Sequence, residues 1–328
     1  MIAIRFSHAT AAFCIAAFPA QSTLAQSGNY PVKPIRMVVP FAPGGPNDIL
    51  GRLVGQKLTE QLHQPTLIEN RGGAGGTVGL DVAAKAAGDG YTLAMGGSSN
   101  MAVAPSLYKN LPYDSLKDFT PVINVAHVPY ALGINPSVPA KNVRELIVLA
   151  KRKANYLSYG SSGTGSMSSL AAEMLKSMSG TEILHVPYKG TAPALTDVIT
   201  GQIDMMLADL SLVRAHTVAG KMRMIGVTGA RRSKAAPEVP AISESGLKGY
   251  VIEPWFGVVG PAGVPRDIVA RLNGVLSAAL KSRDVVQRLD VLGYEPIGGT
   301  AEQFAATIKA DIPQYAKIVK AAGIKSDL

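Results

Sequence analysis

The chain has 328 residues, one cysteine (Cys14), and 32 Lys and Arg against 23 Asp and Glu, for a net charge of +9. Cys14 lies in an N-terminal apolar segment, so removal of that segment would leave no thiol and would exclude disulfides, thiolate metal sites and cysteine nucleophiles. The basic residues are scattered, with no basic run interleaved with aromatics, which argues against a nucleic-acid groove.

In chain order, Arg5 and His8 precede an apolar run over 9–18, and Thr23, Leu24 and Ala25 follow. This pattern predicts a secretory signal peptide over 1–25, cleaved near Ala25, and hence an exported protein. Phe13, just before Cys14, is too bulky for a lipid-modification signal. The remaining chain is longer than one core usually organises, so two α/β lobes are expected.

Ile35, Met37, Val38 and Val39 predict a buried strand. Pro43, Gly44, Gly45 and Pro46 break it, and a helix through Ile49, Leu50, Leu53, Val54 and Leu58 follows, with Asn47 or Asp48 expected as its cap. A helix start after a glycine turn leaves N–H groups unpaired and carries partial positive charge, so this junction is a candidate anion site. A strand over 65–70, a glycine loop over 71–77, a helix over 78–87 and a strand over 91–95 come next. Ser98, Ser99 and Asn100 end that unit. Strands over 121–130 and 132–134 are expected where the chain crosses between lobes.

The second half alternates in the same way, with a helix over 143–154, a strand over 157–159, a glycine loop over 160–166, a helix over 167–178, a strand over 183–186, and a loop from Tyr188 to a helix ending at Ile199. Pro193 suits that helix's first turn. Strands over 203–207 and 222–227 lead to a Pro-rich stretch over 236–241, a strand over 255–259 and helices over 266–280, 285–292 and 301–322. Trp255 reads as core or hinge packing.

The glycine loops fit neither G-x-G-x-x-G nor a G-K-[ST] phosphate loop. Residues 160–164 miss the G-x-S-x-G nucleophile elbow by one position, since Thr164 stands where glycine is needed. The histidines lack metal-ligand spacing. Ser162, Thr164 and Ser166 read either as ligand donors or as caps of their own helix. Asp204 and Asp209, at or beyond the end of an apolar strand, are candidate ligand-contacting groups.

Several motifs in order then carry a resemblance: VPFAPGG at 39–45 with Asp48 and Arg52, ENRGGAGG at 69–76, DGYTL at 89–93, HVPYKG at 185–190, GQID at 201–204 and PAGVP at 261–265. The chain resembles the Bug family of periplasmic solute-binding receptors, the extracytoplasmic components of tripartite tricarboxylate transporters. The resemblance implies the type II periplasmic binding protein fold: two lobes, each a mainly parallel sheet flanked by helices, joined by two crossover strands that form a hinge. Lobe 1 is expected over 26–125 plus 251–328, and lobe 2 over 126–250.

The resemblance also implies a small carboxylate (a di- or tricarboxylate, an amino acid or an aromatic acid) gripped by backbone N–H groups, hydroxyls and waters. Carried over by position, Phe41, Ala42, Pro43, Gly44, Gly45, Asn47 and Asp48 with Ser98, Ser99 and Asn100 would line one wall. Ser162, Gly163, Thr164, Gly165 and Ser166, with Tyr188, Gly190, Thr191, Ala192 and Asp209, would line the other. Ser169 departs from the family, standing where many members have His. The partners expected are the ligand and the permease subunits, with a sensor kinase as an alternative; no cofactor, metal or catalytic residue is expected, and the chain is expected to be monomeric. An exported hydrolase using Ser162 is the remaining alternative.

Overall fold

The computed structural model describes residues 30–152 and 156–321. The expected signal peptide, the end of the helix expected over 143–154 and position 322 lie outside them. In chain order the elements are β1 (Ile35–Val39), α1 (Pro46–Leu62), β2 (Thr66–Asn70), α2 (Thr77–Ala84), β3 (Thr92–Gly97), α3 (Ala104–Leu107) and β4 (Phe119–His127). Next come β5 (Tyr130–Ile134), α4 (Val143–Ala150), β6 (Ser158–Ser161), α5 (Met167–Ser179), β7 (Leu184–Pro187), α6 (Thr191–Thr200), β8 (Met205–Asp209), α7 (Leu210–Val218) and β9 (Arg223–Val227). The chain ends with β10 (Trp255–Pro261), α8 (Arg266–Lys281), α9 (Arg283–Leu292), β11 (Glu295–Gly298) and α10 (Ala301–Ala321).

Among the described residues, a six-stranded sheet has the order β11-β4-β10-β3-β1-β2 and a five-stranded sheet the order β7-β6-β8-β5-β9. Helices flank both, giving the two-lobed α/β architecture. The sheets are mixed rather than mainly parallel. β1 pairs parallel with β2 and β3, and β6 with β7 and β8, whereas the strands nearest the crossings, β10 and β5, pair antiparallel with their neighbours. A strand that enters a sheet straight from the other lobe has no crossover helix to turn it parallel.

The single strand expected over 121–130 is interrupted at Val128 and Pro129, where the chain leaves the first sheet. The return passes beside it, and Val128 N donates to Pro254 O at 2.8 Å. β10 is buried along its whole length, so the hinge opens directly into core. Trp255 packs edge-on against Phe304 of α10 at 5.2 Å, and its indole N–H donates to Asp311 at 2.5 Å. α10 also reaches the other lobe, where Ser177 of α5 donates to the carbonyl of Ala321 at 2.9 Å.

α1 starts two or three positions earlier than expected. Pro46 takes the first helical position and Gly45 the N-cap, with no side-chain cap, so neither Asn47 nor Asp48 caps the helix. Proline's fixed φ and missing N–H suit that position, which sets the start. α2 runs over Thr77–Ala84 and stops short of the expected 87. α7 and β11 were not expected: α7 has no obvious apolar stripe, and β11 is short and mostly exposed.

Candidate functional site

The first wall of the interlobe cleft is the loop between β1 and α1. Its shape is fixed from behind by Asp48, which is 5% exposed. One carboxylate oxygen accepts from Gly44 N at 3.1 Å and Arg52 Nε at 3.0 Å, and the other from Asn70 Nδ2 at 3.0 Å. Asn70 Nδ2 also donates to Phe41 O at 3.0 Å. Burial alone would raise the Asp48 pKa, but the hydrogen bonds from Arg52, Asn70 and Gly44 outweigh it and hold the carboxyl below its usual range. Asp48 is therefore saturated by its own lobe.

The second wall is the turn from β6 into α5, and hydroxyls fix it. Ser168 Oγ accepts from Ser162 N at 2.9 Å and lies 3.1 Å from Ser162 Oγ and 2.9 Å from Ser166 Oγ. Ser166 caps α5, accepting from Ser169 N at 3.3 Å. Beside it, α6 begins after Gly190 with no side-chain cap.

Between the walls lies a narrow cavity of about 20 Å³, room for roughly one water. Phe41, Ala42, Gly45, Asn47, Ser98, Ser99, Ser162 and Thr191 line it, as the sequence predicts. Pro46, Tyr130, Met167, Pro254 and Phe256 line it too, without having been predicted. Among the described residues, none that line the cavity carries a formal charge. Three helix N-termini converge there, those of α1, α5 and α6, and the α1 and α6 starts have no side-chain cap. Asn47 is 4% exposed, and its side-chain oxygen has no hydrogen-bond partner.

The lobes touch in front of this cavity. A Cβ on Gly75 would come within 3.0 Å of the Gly165 carbonyl carbon and of Thr164 O, and one on Gly190 would stand 2.9 Å from Ala42 Cβ. Tyr108 OH donates to Thr164 O at 3.5 Å across the same seam. Gly75 and Gly165 have φ of 64° and 75°, so glycine serves there both the left-handed backbone and the close approach.

The other expected site residues flank the cavity instead of lining it. Pro43 and Gly44 are the exposed tip of the first loop. Gly163, Thr164, Gly165 and Ser166 form the seam and cap, and Gly190 and Ala192 bracket Thr191. Asn100 is fully buried, accepting from Gly97 N at 2.9 Å. Tyr188 OH donates to Asp197 at 2.6 Å. Asp204 precedes β8, away from the cleft, where its carboxylate accepts from Ser158 N and Oγ at 2.7 and 2.8 Å.

Asp209 is fully buried but caps α7, accepting from Ser211 N at 2.8 Å, while Tyr294 OH donates to its other oxygen. It sits opposite Tyr130 in the β5–β8 ladder, one residue removed from the cavity. Burial pushes its pKa up to about 7, against the pull of hydrogen bonds from Ser211 and Leu212. No acidic wall therefore faces the cavity. Ser162, the candidate nucleophile, bonds to Ser168, while the nearby imidazole of His185 meets Ser161 instead.

The family model described as the tripartite tricarboxylate transporter family receptor matches residues 50–324. The chain belongs to this receptor family. The receptor is 35% identical over 297 residues to the protein BugT of Bordetella pertussis, covering 90% of this chain and 91% of that one. Its fold matches an R. palustris structure solved with adipate at TM-score 0.87 and 37% identity, covering 90% and 99% of the two chains. MatC from Rhodopseudomonas palustris with bound malate matches at TM-score 0.85 and 33% identity, covering 88% and 100%. The receptor is thus a periplasmic-type solute-binding protein of the Bug family. Among the described residues, no helix is long and apolar enough to cross a membrane.

Proposed function

We propose that this receptor, exported by cleavage near Ala25, captures a small organic anion of the dicarboxylate class by lobe closure and delivers it unchanged to the permease of a tripartite tricarboxylate-type transporter. One observation carries the ligand class: two uncapped helix N-termini, from opposite lobes, face one cavity whose lining has no charged side chain. Such ends supply oriented N–H donors and partial positive charge, which suit a carboxylate and give nothing to a cation. The hydroxyls of Ser99, Ser162 and Thr191 extend the donor set, and ordered water can bridge what they do not reach. The relatives solved with adipate and malate support the same class. A cleft this tightly shut must part to admit such a molecule, so capture and hinge motion are one event.

Thermal unfolding with a panel of carboxylates, amines and neutral amides tests this. A ligand at a hundred times its Kd adds about 2.7 kcal/mol to stability, enough for a clear rise in Tm. Dicarboxylates such as adipate or malate should raise it, and amines should not. A panel in which no organic anion raises Tm would overturn the ligand class. Unaltered uptake of the identified anion in a strain lacking the receptor would favour a signalling role through a sensor kinase.

A further inference from the structure

Ser161, the last residue of β6, is fully buried, and its hydroxyl has two partners. Gly163 N donates to it at 3.2 Å, and His185 Nε2 on the adjacent strand β7 lies 2.7 Å away. The Gly163 N–H occupies an oxygen lone pair, so the hydroxyl proton needs an acceptor, and Nε2 is the one in place. That assigns His185 the neutral form with its proton on Nδ1. The ring is held flat against Tyr159, with centroids 4.6 Å apart and planes within 5°. Tyr159 OH in turn donates to Glu173 at 2.5 Å, and Glu173 pairs with Lys176 at 2.7 Å. A chain of contacts thus runs from α5 through Tyr159 and His185 to the backbone of the glycine turn. That turn carries Ser162 into the cavity and Thr164 and Gly165 onto the seam against Gly75.

We propose that His185 is a positioning residue which, as a neutral acceptor, fixes the 161–166 turn through Ser161, so that the second wall keeps its ligand-binding shape only while the imidazole is uncharged. Protonation turns Nε2 into a donor. Ser161 then faces two N–H donors with its own proton unpaired in a dry site, and the turn has to rearrange. The charged groups facing the ring are Glu173 and Lys176 from α5, with the Tyr159 phenol from β6. Burial lowers the His185 pKa, Glu173 pulls it up and Lys176 pulls it down. The neutral form is therefore kept at neutral pH and given up on acidification.

The inference rests on the receptor reading only where adipate affinity is measured, so the first test needs no ligand. Imidazole ¹⁵N spectra of the full mature chain should show the Nδ1–H tautomer at pH 8 and a midpoint below the ordinary value of about 6.5. In Ser161→Ala the midpoint should rise, because the neutral form loses its hydrogen bond, and Ser161→Thr should restore it. The amide signals of Gly163 and Gly165 should move with the same midpoint in the wild type and stay flat in His185→Gln, whose amide oxygen can accept from Ser161 without titrating. An Nε2–H tautomer, an unmoved midpoint in Ser161→Ala, or glycine amides indifferent to the titration would each overturn the proposal.

With adipate as probe, affinity should fall about tenfold from pH 7.5 to 5.5 beyond any fall in His185→Gln, which shares any change in the ligand's own ionisation. Equal falls in both proteins would also overturn it. Adipate that fails to bind at any pH counts against the ligand class alone, since the spectra still decide the role of His185. Should His185→Gln not fold, the two Ser161 variants carry the test.

Discussion

The two walls of the cleft hold the same kind of backbone, a glycine turn feeding a helix start, by opposite chemistry. The first is braced by a buried carboxylate that binds a guanidinium, an amide and the Gly44 N–H. The second is braced by four serine hydroxyls and an imidazole. In the first wall the charge points away from the cavity, and in the second there is none to point. Both solutions leave uncapped helix starts facing the cavity with no competing anion. The difference lies in what each brace tolerates: an ionic clamp survives until its carboxylate is protonated, whereas a hydroxyl relay fails when its acceptor gains a proton.

The largest effect should come from preventing the walls from meeting. Gly75→Ala places a Cβ against the carbonyls of residues 164 and 165, a clash that parting of the lobes would relieve. Ligand affinity should fall about a hundredfold, while the ligand-free protein loses only about 1 kcal/mol for the left-handed backbone. Titration calorimetry with chemical denaturation separates the two, and an equal loss in both would show that the seam serves folding and not closure.

Next in size is the ionic brace. Asp48→Ala removes the buried acceptor that three partly buried hydrogen bonds share, and should cost about 2–3 kcal/mol in denaturant unfolding. The Asp48 pKa is depressed on folding, so this stabilisation is present in full above its unfolded pKa of about 3.9 and is lost as pH falls through the lower folded value. Ser168→Ala, the matching cut in the hydroxyl brace, should cost less, about 1–2 kcal/mol, because each neutral hydrogen bond contributes less. A larger loss in Ser168→Ala than in Asp48→Ala would reverse the comparison.

The effect that is smallest in acid, and grows with pH, sharpens the claim that no charge faces the cleft. Asp209 has its pKa raised from 3.8 to about 7, so between those values the folded state holds a proton that the unfolded state has released. Stability from this group is therefore full below about pH 4 and declines as pH rises to 7, by roughly 2–4 kcal/mol. Asp209→Asn cannot ionise and remains a good N-cap. It should match the wild type to within about 1 kcal/mol at pH 4.5 and exceed it at pH 8, as measured by urea unfolding. A variant that tracks the wild type at both pH values would mean that Asp209 is charged in the folded protein.

The alternation of strands, glycine turns and helices was legible because burial and turn chemistry are local: β1, α1, β3, α5 and α6 follow from apolar runs and glycines. The cavity was half legible for the same reason. Phe41, Gly45, Asn47 and Ser162 sit in the turns themselves, whereas Tyr130, Pro254 and Phe256 reach it from the crossings, where only the folded chain brings distant segments together. The start of α1 was misplaced even though Pro46 signals it, because Asn47 and Asp48 look like better caps. Asp209 looked like a ligand group because strand ends usually are; the helix it caps and the tyrosine that reaches it 85 positions later gave no local sign.

One consequence concerns observation. The chain has a single tryptophan, Trp255, which sits on the return crossing beside the cavity-lining Phe256 and is anchored by its indole N–H to Asp311 of the helix that spans both lobes. Its emission comes from one place, the crossing between the two lobes. The protein thus contains its own optical gauge, and stopped-flow fluorescence on the unlabelled molecule can time opening and closing with every signal assigned in advance to a known residue.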